Sequence, residues 1–215
     1  MIVLHPKIWK TFAFILAFFI TSCAALKPEK TFSKNGLTVT FRSLNALDDI
    51  QSIKFLYPII LSEKQVLNHL LSLWHQRIVS PGKPKPVFYL EEAAKLAPLL
   101  STALKKVKPG KYLNFEFQSS KGLIEGQVFA TAKKLHWRFL KIHDEGFSND
   151  PLRIRTPTWK LARMPGQAYQ KLQSGNFIKI VKNRIIANRN LPFPKQRSQS
   201  RPSTISSSNT STQSE

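Results

Sequence analysis

Between Leu113 and Ile142 the chain holds three strand-like runs in close succession, the first and third alternating apolar with polar residues, and no other feature constrains its fold as tightly. Leu113, Phe115 and Phe117 alternate with Asn114, Glu116 and Gln118. A second run, Leu123 to Thr131, comes after the turn residues Ser119 to Gly122, and a third sets Leu135, Trp137 and Phe139 against His136 and Arg138. Successive strand side chains point to opposite faces, so period-two alternation makes the first and third runs half-buried strands, and the second reads as the strand between them. The short links predict an antiparallel three-strand meander near 112–142, with one face on helices and the other wet.

The segments before it supply helices. Ser62 followed by Gln65 has the spacing of a capping box, and Val66, Leu67, Leu70, Leu71 and Trp74 then fall on one helical face. A second helix is expected over Glu91 to Val107, with Glu91 and Glu92 at its start and Lys105 and Lys106 at its end, charges that complement the helix dipole. Pro98 is expected to kink it or split it in two. Leu37 to Phe41 reads as a strand, Ile53 to Ile60 as a second one interrupted by Pro58, and Ser80 to Pro86 as a loop. Thr158 to Gln173 reads as a helix broken at Pro165-Gly166, and Phe177 to Ala187 as a last strand. The expected fold class is therefore α+β: one small domain over residues 36–190, an antiparallel sheet packed by two to three helices. Residues 191–215 are rich in Ser, Thr, Gln and Pro and are expected to form a disordered tail.

Charge divides the chain unevenly. The net charge is +21 over 215 residues, and from Pro151 to Ser214 there are twelve Lys and Arg without a single Asp or Glu. Such a surface favours anionic partners and opposes casual self-association. The anion-contact candidates are Lys160, Arg163, Lys179, Lys182, Arg184 and Arg189. The single cysteine, Cys23, excludes an intrachain disulfide and a thiolate metal cluster.

Ahead of Cys23 stand Lys7 and Lys10, then the nine-residue apolar run Phe12 to Ile20, then Thr21 and Ser22. This is the order of a signal peptide, and nine residues fall short of the roughly twenty needed to span a bilayer. A plain secretory leader and an uncleaved signal anchor share these features. Ile20-Thr21-Ser22-Cys23 further resembles the lipobox of bacterial lipoproteins, an aliphatic residue and two small residues before a cysteine. That resemblance covers only the leader. It implies that residues 1–22 are removed, that Cys23 is acylated and becomes the first residue, and that residues 23–35 tether the domain to the bilayer. Ala24, where an inner-membrane retention signal carries Asp, implies an outer-membrane lipoprotein facing the periplasm if the cell has two membranes.

Catalytic patterns are weak. Ser80-Pro81-Gly82-Lys83 has the Ser-x-x-Lys spacing of penicillin-binding proteins but lacks their companion elements, and Pro84 interrupts the segment. His69 and His75 are six apart and His136 and His143 seven apart, unlike ligands one helical turn apart, so no metal or other cofactor is expected. Neither glycine-rich phosphate loop occurs. His69 is expected on a helix surface and His136 on the wet face of its strand. Trp74, Trp137 and Phe139 read as core, whereas Trp159 in the acid-free region is a candidate stacking residue. The resulting expectation is a membrane-anchored, non-enzymatic envelope protein that contacts an anionic lipid, glycan or envelope protein, with nucleic acid disfavoured by export. An envelope hydrolase with a dispersed site, and a subunit of a secretion or outer-membrane assembly machine, remain the alternatives.

Overall fold

The computed structural model describes residues 29–47, 54–147, 157–174 and 176–194. Residues 1–22, Cys23 with its lipobox, and the tail from 195 lie outside them. The main sheet has eight strands, all paired antiparallel. Seven form the path β1 (Thr31–Lys34), β2 (Leu37–Ser43), β5 (Lys111–Ser119), β6 (Gly122–Ala130), β7 (Lys134–Ile142), β11 (Phe177–Asn188) and β10 (Gln167–Ser174). The short β8 (Glu145–Gly146) pairs with β7, and β3 (Trp74–Arg77), β4 (Lys85–Pro86) and β9 (Trp159–Ala162) make a second, three-stranded sheet. The two α-helices are α1 (Glu63–Leu71) and α2 (Leu90–Lys105).

The α+β expectation is thus corrected: 47% of the described residues are strand and 18% helical, so the described part is predominantly β. The excess comes from segments read differently. Thr158 to Gln173 holds two strands and no helix, because Trp159 and Leu161 are buried while Lys160 and Ala162 between them are half-exposed, a two-residue period. Thr31–Lys34, inside the stretch read as tether, pairs with β2 from Thr31↔Thr40 to Lys34↔Leu37. All four of its residues are exposed, so no alternation marked it.

The meander β5-β6-β7 forms as expected, with Val128 opposite both Leu113 and Trp137. Its core face meets the helices in one apolar cluster that joins Leu70, Leu96, Leu100 and Leu104 to Leu113, Phe115 and Trp137. In α1 the Ser62 hydroxyl accepts from the Gln65 amide at 3.2 Å while Gln65 Oε1 accepts from the Ser62 amide at 2.8 Å, completing the capping box. The helix stops at Leu71, so Trp74 opens β3 and does not end α1. Pro98 lies inside α2 without dividing it.

The chain after β11 is held against α1. Asn68 Nδ2 donates to the Leu191 carbonyl at 2.9 Å, the His69 ring lies 3.1 Å from the Arg189 carbonyl, and Leu191 is buried. The folded part therefore continues past 190.

Candidate functional site

The second face of the meander is wet only in part: Gln118 and Lys134 are exposed and Glu116, Glu125 and Arg138 half-buried, but its centre is covered. Strand alternation places Tyr112 and Asn114 of β5, Gln127 and Phe129 of β6, His136 of β7 and Arg184 of β11 on it, and all six are buried. Leu47, with Leu44 and Phe55, packs there on Tyr112 and Phe129. Gln127 Nε2 donates to Asn114 Oδ1 at 3.5 Å. Phe129 stacks on His136 with ring centres 4.9 Å apart, and the Arg184 guanidinium lies 5.5 Å from the centre of the Phe129 ring. Tyr57 packs instead against the main core cluster, and burial pushes its phenol up to about 12.

Burial, with the Arg184 charge second, lowers His136 to about 4, so its imidazole is neutral at physiological pH. Beside it an open depression of about 550 Å³ is lined by Thr131, Lys134, Gln167 and Gln170 among others, with no carboxylate in the lining. One neutral imidazole, an ammonium and amides suit polar or anionic contacts; a paired acid and base for hydrolysis is not assembled there.

The other sequence candidates are dispersed. Ser80 and Lys83 sit in an exposed loop whose Gly82 carbonyl accepts from Gln76 at 2.7 Å. His75 and His143 come together with ring centres 5.4 Å apart, although the whole β5-β6-β7 meander lies between them in the chain. Burial first and His143 second lower His75 to about 4. Among the described residues no group of three or more His, Cys, Asp or Glu is placed to hold a metal. His69 is buried against Arg189, contrary to its expected place on a helix surface. Trp159 is core: it is fully buried, donates to the Glu145 carbonyl at 3.0 Å and packs edge-on against Phe147.

The basic candidates separate by burial. Arg184 is wholly buried and so faces no solvent anion, a correction to its place among the contact residues. Arg189 is half-buried and donates to the Ile60 carbonyl; Lys160 is half-buried in β9; Arg163 is exposed but lies over the Tyr169 ring at 5.0 Å. Lys179 and Lys182 are exposed on β11, with Lys171 across the ladder on β10.

Those three lysines share an arm. β7 pairs with β11 only from Arg184 to Asn188, and beyond Arg184 β11 runs on accompanied by β10 alone, from Gln170↔Val181 to Ser174↔Phe177. A register shift between Tyr169 and Gln170 marks where the arm departs, and the Asn183 side chain closes the gap by donating to the Phe139 carbonyl at 2.8 Å. Phe177 is 80% exposed, Ile178 67% and Ile180 50%, the first two ranking among the most exposed large apolar residues described. Reading β11 as an ordinary strand missed this, since its apolar residues have the composition of a core.

Against protein-family models, curated proteins and solved structures alike, the chain has no match. The fold and these two surfaces therefore rest on the chain's own residues.

Proposed function

We propose that this is a lipid-anchored, non-enzymatic protein of the bacterial envelope whose exposed basic strands contact an anionic envelope component. The observation that carries the anchor is the order of segments: a basic start, nine apolar residues, Ile20-Thr21-Ser22-Cys23, then only seven residues before the first strand at Thr31. That spacer reaches at most about 28 Å, so acylation at Cys23 holds the domain close to the bilayer. One acyl chain binds marginally and two or more bind stably, so the attachment is long-lived. Recognition falls to the exposed lysines of β10 and β11, whose attraction for anions weakens as salt shortens the Debye length. No helix among the described residues is long and apolar enough to cross a membrane.

Membrane fractionation of the expressed chain beside a Cys23→Ser variant tests the anchor. The parent should stay in the membrane pellet through a high-salt and carbonate wash while the variant is released. Release of both by the wash would rule out the lipid anchor.

A further inference from the structure

The β10–β11 arm has no reason of its own to stand out from the sheet. Isolated two-stranded ribbons are at best marginally stable in water, and this one leaves both faces largely solvated. One face carries Phe177 and Lys179 with Val181 and Leu172 behind them; the other carries Ile178 and Ile180 between Lys171 and Lys182. Large apolar groups crowd toward the turn, ammonium groups flank them on both strands, and no carboxylate occurs from Pro151 to Ser214. An apolar tip framed by lysines is the pattern of an element that seats in the boundary of an anionic bilayer, apolar groups among acyl chains and ammonium groups among phosphates.

We infer that the β10–β11 arm is a docking arm for an anionic lipid surface, with Phe177 and Ile178 as its inserted tip and Lys171, Lys179 and Lys182 as its headgroup contacts. A glycan or polyphosphate would satisfy the lysines and leave the tip in water. A second copy would bring one basic arm against another, in a chain of net charge +21. The inference deepens the envelope reading by naming the anion, but it needs no acyl group on Cys23.

The test uses residues 23–215, without the apolar leader, carrying Cys23→Ser and Phe177→Cys, which leaves one thiol at the tip for an environment-sensitive fluorophore. Mixed with vesicles of phosphatidylglycerol and phosphatidylcholine, the dye should shift to the blue and lose the shift in high salt; phosphatidylcholine alone should leave it unchanged. In co-sedimentation, Phe177→Ser with Ile178→Ser should weaken retention about tenfold or more, and each Lys→Glu change on the arm at least about fivefold. Retention by phosphatidylglycerol without a dye shift, equal retention of parent and tip variant, or no retention at low salt would each overturn the arm as a lipid contact. A blue shift that grows with protein concentration in the absence of vesicles would overturn it in favour of self-association. Since the chain used lacks Cys23, none of these results depends on whether the natural protein is acylated.

Discussion

Phe115 sits directly across the β5–β6 ladder from Gly126, and its ring fills the space a side chain at 126 would need. A Cβ at 126 would stand 2.5 Å from Phe115 Cζ and 3.3 Å from the Arg138 carbonyl, one a core ring and the other backbone. Phe115 cannot yield easily, because its ring centre lies 6.1 Å from those of both Trp137 and Phe139.

Gly126→Ala should therefore destabilise the domain by about 1–3 kcal/mol, the cost of overpacking a filled core. Urea unfolding measures it, and an unchanged midpoint would mean that the ring is not pinned where the ladder places it.

Acid should weaken the fold through histidines that are neutral when folded. His75 and His136 titrate near 4 in the folded chain, chiefly because burial disfavours the imidazolium, against an unfolded value near 6.5. Between these values the unfolded chain binds more protons, so stability is fully present above about 6.5 and is lost as pH falls toward 4. Urea midpoints should be flat from pH 8 to 7 and fall from 6.5 to 4.5. His136→Gln should make that fall shallower; an unaltered slope would show that this imidazole does not titrate as its burial requires.

Arg184 and its neighbours on β11 should separate structure from contact. Arg184→Ala removes a buried chain from over Phe129 and should cost on the order of 3 kcal/mol, from the cavity and the ring contact together. Lys179→Ser and Lys182→Ser, on exposed positions, should alter stability by less than about 0.5 kcal/mol. Thermal unfolding of the three variants distinguishes them, and equal destabilisation would contradict the arm's solvent-facing placement.

These residues also show what the sequence could reveal. The capping box at Ser62, the second helix with its terminal charges and the meander were legible because each depends on neighbours a few positions apart. β1 was not, since an edge strand exposed along its length has no apolar period and gains its place from pairing with β2. The segment holding β9 and β10 reads as a broken helix because Pro165-Gly166, a helix breaker, serves equally well as the turn that carries the chain from one sheet to the other. The burial of His69 on α1 and of His136 on β7 escaped for another reason: a polar residue on a helix or strand face reads as wet unless the segment that covers that face is known. Likewise Phe177, Ile178 and Ile180 have core composition, and only the point where β11 leaves β7 puts them in solvent.

The claim that the protein is held to a membrane by lipid rests on one atom, the Cys23 sulfur, and intact mass spectrometry of the chain recovered from bacterial membranes tests it most directly. The expected species is a polypeptide that begins at Cys23 and carries the added mass of a diacylglyceryl group, absent when Cys23→Ser is expressed. A mass equal to the unmodified chain, whether cut elsewhere or retaining residues 1–22, would contradict the lipid anchor.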